Sequence, residues 1–459
     1  MISRTAAEIA AATGGRVLTG PEGRRATAVC IDSRTVRPGD LFFAIEGPRH
    51  DGHRFLAEAA AAGATVAVVS RAVETPPSMT LVQCADTTEA LGRLAADERR
   101  RRELKVVAIT GSAGKTTTRR LAAAALAATT PTGSSPGNLN NQWGLPLSLL
   151  GLDAKVRVAV LEIGINHPGD MPPLAHIAAP DVAVITNVLP AHIGHFGSLA
   201  AIAREKLELL SALGDGGVAV LPAEQPLLLE PARNRGHRVL GFGLSAEAEL
   251  RAEKVRTRPL RGVAFVVDGV NVELALWGRH AVHNALAALA AARALGAPLD
   301  VAAAALGTVE AGAGRGRVLE LPGGTRIVDE SYNANPASTV AMLEEAAQAP
   351  RQGRLVAVLG DMLELGELSE EAHRTVGRAA RDVGVDLLVT VGEMAETMAD
   401  AARPPGPARI EQCADAAEAA ARLSAALEDG DLVLIKGSRG VGLERVVEAL
   451  QALPGRTRS

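Results

Sequence analysis

The sequence predicts an α/β protein of three successive units: a small α/β unit, a central parallel sheet and a C-terminal Rossmann-like α/β unit. Three observations lead there. A length of 459 residues exceeds one ordinary core and suits about three domains. From Leu104 onward, short and wholly apolar runs alternate with helix-forming stretches, the pattern of parallel strands covered on both faces. A second such series follows Arg315, beyond Gly312-Ala313-Gly314, which reads as a hinge. The expected units are therefore 1–102, 103–312 and 313–459.

In the first unit, Asp40–Ile45 and Ala64–Val69 read as strands with an alanine-rich helix between them. The central unit offers Val106–Ile109, Val156–Leu161 and Val182–Ile185 as strands, and the third offers Arg326–Asp329, Leu355–Leu359, Leu387–Val391 and Leu432–Ile435. Nearly half the residues are hydrophobic, few are aromatic and glycine is abundant, so the cores should be closely packed layers of small residues. A formal charge of −4, with no basic run beyond Arg99–Arg102, gives no electrostatic footprint for nucleic acid or anionic lipid. That arginine cluster reads as the end of a solvated helix. Cys30, Cys84 and Cys413 lack the spacing of a disulfide framework or zinc site and read as buried small hydrophobes. No apolar run approaches about 18 residues and the N-terminal stretch is too polar for a signal peptide, so a soluble, cytoplasmic chain without membrane insertion is expected.

The strongest chemical signal is Thr110-Gly111-Ser112-Ala113-Gly114-Lys115-Thr116-Thr117, between an apolar strand and an alanine-rich helix. Glycines let backbone N–H groups approach phosphate, the helix N-terminus favours anions, Lys115 can reach terminal phosphates and the Thr116 hydroxyl can ligate magnesium. This makes the central unit a P-loop-type parallel sheet, although Ile109 stands where the strict pattern has its first glycine. Glu162 ends the next strand, where ligands bind in open α/β sheets and a carboxylate suits magnesium. His192 also follows a strand, but histidine is an unusual ligand for a hard cation and a lone one is more often structural. Lys206, in Ala203-Arg204-Glu205-Lys206-Leu207-Glu208, reads by itself as a solvated helix position.

Together these elements resemble the Mur ligase family, through all three units. The resemblance implies an ATP-dependent peptide ligase using magnesium. It places the phosphate loop at residues 111–117 (Gly111, Ser112, Ala113, Gly114, Lys115, Thr116, Thr117), the metal-binding acid at Glu162 and the metal-binding histidine at His192. It turns Lys206 into a catalytic, second-metal residue, since the family carries a carbamylated lysine there. The N-terminal sequences containing Ser33, Arg34, Phe43, Asp51, Gly52 and His53 are similar to the family's uridine-nucleotide module, and Asn138, Asn140 and Asn141 to a loop touching the UDP-sugar. Asn284 matches an adenine contact, Arg315 another nucleotide contact and Asp329 a ribose contact. Lys436-Gly437-Ser438-Arg439 matches a family loop to which no role is given.

The sequences Asp329-Glu330-Ser331-Tyr332-Asn333-Ala334-Asn335-Pro336 and Leu359-Gly360-Asp361-Met362-Leu363-Glu364-Leu365-Gly366 resemble signatures of the family branch that adds D-alanyl-D-alanine to a UDP-N-acetylmuramoyl-tripeptide. This puts Tyr332, Asn333 and Asn335 on the dipeptide side. The resemblance implies an acyl-phosphate route and a monomer, with those two substrates as partners. Another step of the same series or a folate-type ligase is the alternative enzyme, and a nucleotide switch is the non-enzymatic one. The switch is disfavoured by the absence of an Asn-Lys-x-Asp sequence.

Overall fold

A computed structural model describes residues 3–47, 49–74, 76–191, 193–403 and 406–453. Their strands form three main sheets. The first orders Arg16–Thr19, Thr80–Gln83, Val66–Val69, Asp40–Phe43 and Ala28–Cys30, parallel except for the first pair. The central sheet is seven parallel strands, in the order Leu250–Arg251, Arg238–Gly243, Val218–Pro222, Val182–Ile185, Lys105–Thr110, Val158–Glu162 and Thr132–Ser134. The strand Lys105–Thr110 comes first in the chain yet lies between later strands. It is thus the switch point at whose carboxyl end an open parallel sheet leaves a crevice. The third sheet orders Arg317–Glu320, Arg326–Glu330, Leu432–Lys436, Leu355–Gly360, Leu387–Val391 and Arg409–Cys413, parallel beyond its antiparallel edge strand.

Small residues dictate how the central sheet is covered. The helix His280–Ala294 is buried all round through Ala285–Ala292, so it packs closely against the helix Lys115–Ala127 that follows the phosphate loop. On the opposite face the core is continuous with that of the first unit: Val106, Leu161 and Ile185 share one apolar cluster with Leu91, Leu94 and Leu41. The helix Thr87–Arg101 makes this junction, and its end corrects the reading of Arg99 as solvated. Arg99 is largely buried and donates to Asp181 Oδ2 at 3.0 Å and to the Ala179 carbonyl at 3.1 Å. The three cysteines are buried, as expected.

An antiparallel sheet of Glu253–Arg258, Gly262–Val267 and Val270–Leu274 has no counterpart in the sequence reading. Its middle strand buries Val263, Phe265 and Val267 by alternation, while the charged residues of Glu253–Arg258 face solvent and disguise the first strand.

The first unit is anchored by a buried charge cluster. Arg4, 1 % exposed, donates to Glu98 Oε2 at 2.6 Å and also to Asp97, tying the N-terminal strand to the helix Thr87–Arg101. Removing one partner of a buried pair costs about 3–5 kcal/mol because the other charge stays in the core. Arg4→Ala should lower the denaturation midpoint accordingly, and an unchanged midpoint would show that the cluster does not hold the junction.

Candidate active site

The phosphate loop sits at the carboxyl end of Lys105–Thr110 and is braced by the end of the neighbouring strand. Ser112 N–H donates to the Asn187 carbonyl at 3.0 Å and Ala113 N–H to Asn187 Oδ1 at 2.9 Å. Thr186 Oγ1 donates to the Ala113 carbonyl at 2.6 Å, and the Ser112 hydroxyl bridges the N–H and carbonyl of Leu189. Two glycines are obligatory. Gly111 has φ +151° and a Cβ there would stand 1.9 Å from Thr186 Oγ1; Gly114 has φ +79° and a Cβ there would stand 2.2 Å from Asn284 Oδ1. The helix that starts at Lys115 has no side-chain cap, so its first N–H groups remain open to an anion. These features fit a nucleotide phosphate.

Glu162 lies 3 % exposed at the end of the adjacent strand and gathers the surrounding groups. Thr116 Oγ1 donates to its Oε2 at 2.7 Å, Asn140 Nδ2 donates to its Oε1 at 2.8 Å and Arg119 Nε stands 3.5 Å from Oε2. Because Thr116 gives its proton to Glu162, its lone pairs stay available. Carboxylate and hydroxyl oxygens together suit a hard divalent cation. Lys115 folds back to donate to the Gly111 carbonyl at 2.8 Å; burial pushes its amine below the ordinary lysine range, with Glu162 opposing and Arg315 adding to the shift.

Lys206 departs from the solvated position its own neighbours suggest. It is 4 % exposed in the helix Leu199–Leu207, and its side-chain amine has no hydrogen bond or ion pair among the described residues. Burial, and then the charge of Lys115, push its amine well below the ordinary range. His192 lies outside the described residues.

The expected UDP side is assembled from two loops. Asn141 Oδ1 accepts from Gly144 N–H at 2.9 Å and so starts the helix Gly144–Leu150, while Asn138 is exposed. Trp143 joins this loop to the first unit, donating from Nε1 to Thr88 Oγ1 at 3.0 Å beside Gly47. His53 supports the other loop with both ring nitrogens: Nδ1 lies 2.7 Å from Asp51 Oδ1 and Nε2 accepts from Ser70 N–H at 3.0 Å. Although burial raises Asp51, hydrogen bonds from His53 and Arg71 outweigh it and hold the carboxyl at about 2. Gly52 is forced, since a Cβ would meet the Ile45 nitrogen at 2.7 Å. Ser33 is buried, and exposed Arg34 pairs with Asp32 at 2.6 Å. Phe43 is a correction: at 0 % exposure its ring belongs to the core and has no face for a ligand.

The C-terminal unit closes the remaining side. The Arg315 guanidinium stacks 3.8 Å over the Tyr332 ring. Asp329, 4 % exposed, accepts from Gly314 N–H at 2.7 Å and from the Ser331 hydroxyl at 2.6 Å, which fixes the backbone at Gly314. Asn335 caps the helix Pro336–Gln348, and Asn333 caps its own turn by accepting from Ala334 N–H. Asn284 is buried behind the loop, accepting from Thr118 Oγ1 at 3.3 Å. Where the central and C-terminal units touch, Gly194 N–H donates to the Glu364 carbonyl at 3.2 Å. A Cβ on Gly194 would stand 2.9 Å from Gly366 N.

Comparison with known proteins agrees with this arrangement. Residues 25–99 match the Mur ligase family catalytic domain, 109–292 the Mur ligase middle domain and 314–439 the Mur ligase glutamate ligase domain. The UDP-N-acetylmuramoyl-tripeptide–D-alanyl-D-alanine ligase of Escherichia coli (strain K12) is 36% identical over 432 residues, covering 92% of this chain and 93% of its own. The chain belongs to the Mur ligase family. The ligase of the same name from Bacillus subtilis (strain 168) is 31% identical over 99% of this chain and 100% of its own. Among solved Mur ligases, a crystal structure of MurF from Acinetobacter baumannii superposes with a TM-score of 0.90 at 31% identity, covering 98% and 99% of the two chains. The ADP complex of MurF from Thermotoga maritima superposes with a TM-score of 0.82 at 30% identity, covering 92% and 97%. The three-sheet α/β architecture is thus that of the Mur ligases.

Several residues that shape the site were not singled out in the sequence. Thr186 and Asn187 carry a readable signal, being polar residues at the carboxyl end of a strand beside the loop strand. Arg119 and His373 have no such signal. His373, 0 % exposed, accepts from Met362 N–H at 2.9 Å and so holds the loop that meets Gly194. Lys436, whose sequence match carried no role, donates to the Asn333 carbonyl at 3.0 Å and Glu330 Oε2 at 3.1 Å.

Gly114→Ala tests the loop geometry. A non-glycine residue at that φ costs about 1–3 kcal/mol, and the Cβ must also displace Asn284. ADP affinity measured by calorimetry should fall at least tenfold (about 1.4 kcal/mol) in a protein that still folds. Unaltered affinity would show that the loop does not hold phosphate in this form.

Proposed function

We propose that this chain is an ATP-dependent amide ligase that joins D-alanyl-D-alanine to UDP-N-acetylmuramoyl-tripeptide. One observation carries the reading: Glu162 receives Thr116 from the phosphate loop on one oxygen and Asn140 from the expected sugar-side loop on the other. A single buried carboxylate therefore links the nucleotide side to the acceptor side. The names of relatives that cover nine-tenths or more of the chain point to the same substrates.

In the reaction proposed, an oxygen of the tripeptide carboxylate attacks the γ-phosphorus of ATP and ADP leaves. The amine of the dipeptide then attacks the acyl carbon, loses a proton, and expels phosphate as the amide forms. This chain's part is positioning and electrostatics. Lys115 moves from the Gly111 carbonyl to the phosphate oxygens, and the open N–H groups at the start of its helix hold the remaining charge. Arg315, stacked on Tyr332, faces the same loop from the C-terminal unit. Asp329 and Asn284 complete the proposed nucleotide side. Tyr332, Asn333 and Asn335 line the dipeptide side.

Glu162 and Thr116 would hold magnesium, joined by His192 and Lys206, and the ion when bound neutralises charge on the transferring phosphoryl group. Burial favours the neutral amine of Lys206, as carbamate formation requires: nitrogen bonds to the carbon of CO2, a proton leaves, and an anionic oxygen ligand results. All these groups lie on one chain, which is consistent with a monomer. A cytoplasmic location goes with the proposed substrates. No described helix is long and apolar enough to cross a membrane.

The test offers UDP-muramoyl peptides of different lengths, ATP and candidate amines, and reads product masses. The expected product joins the tripeptide and the D-alanyl-D-alanine dipeptide with loss of one water, and its formation releases one phosphate. A product from a shorter peptide with a single amino acid would reassign the step. Phosphate release independent of both substrates would remove the ligase reading.

A further inference from the structure

Arg119 is a buried cation that the reaction described above does not use. It lies one helical turn beyond Lys115 on the same face of Lys115–Ala127, so the helix aims one cation at the loop and the next at Glu162. Only 5 % of the residue is exposed, and its guanidinium makes no hydrogen bond among the described residues. Its Nε is shut away from water with no hydrogen-bond partner, 3.5 Å from Glu162 Oε2. That separation is an ion pair without a formed hydrogen bond. Glu162 needs such a counter-charge, because an ionised carboxylate that is 3 % exposed is costly unless paired. Its hydrogen-bond donors, Thr116 and Asn140, are both neutral, and the Lys115 ammonium is turned to the Gly111 carbonyl.

We propose that Arg119 is a positioning residue for the divalent cation site: its charge holds the Glu162 carboxylate in place before the cation arrives, and it limits how tightly that cation binds. This rests on the reading of Glu162 as the metal acid. Arginine suits the task because it stays protonated even where burial opposes its charge. The missing hydrogen bond suits it too. A pair held by Coulomb attraction alone leaves the carboxylate no directed bond to Arg119 to give up when a cation arrives. Once that cation is bound, the fixed positive charge opposes it at close range, which holds the affinity down and allows release after turnover.

The experiment titrates Mn2+ into the full-length protein at constant ADP, reading free Mn2+ by electron paramagnetic resonance, with thermal melting of the metal-free protein alongside. Arg119→Met should bind Mn2+ about tenfold more tightly while its metal-free form melts lower, because a repelling charge has gone from the bound state and a counter-charge from the empty one. Arg119→Lys should return both values most of the way to wild type. If Arg119→Met does not fold, Arg119→Gln carries the same expectations. A folded neutral variant with unchanged or weaker Mn2+ affinity overturns the proposal. Glu162→Gln separates the two levels of inference: it should abolish the Mn2+ site. If it binds Mn2+ like wild type, the metal-acid reading itself has failed.

Discussion

The constraint on which the site depends is the burial of the Glu162 carboxylate at the end of a central strand. An ionised group that is 3 % exposed holds its place only if every neighbour is arranged for it. The neighbours come from separate parts of the chain: Thr116 and Arg119 from the helix after the phosphate loop, and Asn140 from the loop that leads to the first unit. Ser135 fixes the backbone, accepting from Glu162 N–H at 3.1 Å. The carboxylate thereby sets the relative position of the nucleotide loop and the proposed acceptor side.

The fold supplies that carboxylate at the right place because the loop strand lies at the switch point of the parallel sheet. Its two neighbours, Val158–Glu162 and Val182–Ile185, end on either side of it, one delivering Glu162 and the other Thr186 and Asn187. Close packing of alanine faces brings the helix of Asn284 against the helix of Lys115, and this contact is tight enough that only glycine fits at 114. The C-terminal unit reaches the same region through a backbone approach, Gly194 against Gly366, with Glu364 between them at φ +63°. His373 and Ser438 hold that loop from behind, which explains why the Gly360–Gly366 sequence and the Lys436–Arg439 sequence act as one structural block.

What the sequence made legible follows physical signals of different strength. Wholly apolar runs gave the inner strands at Lys105–Thr110, Leu355–Gly360 and Leu432–Lys436 to within a residue or two, because strands covered on both faces leave no polar interruption. The edge strand Arg409–Cys413 and the charged strand Glu253–Arg258 carry no such pattern, since one face or edge meets water. At the site, glycine, lysine and threonine declared the phosphate loop. Lys206 did not: a lysine among charged helix neighbours reads as solvated, and its burial depends on contacts distant in sequence. Arg119 was hidden for the same reason. Phe43 was misplaced because an aromatic next to a binding loop looks the same in sequence whether its ring faces ligand or core.

The most direct measurement is a crystal structure of the full chain with Mn2+ and a non-hydrolysable ATP analogue, using anomalous scattering to locate the metal. The expected result is an anomalous peak in contact with a Glu162 carboxylate oxygen and the Thr116 hydroxyl. Lys115 should have turned from the Gly111 carbonyl to the phosphates, and carbamate density should extend from Lys206 Nζ. A metal peak remote from Glu162, with that carboxylate still bound only by Thr116, Asn140 and Arg119, would contradict the central place given to it here.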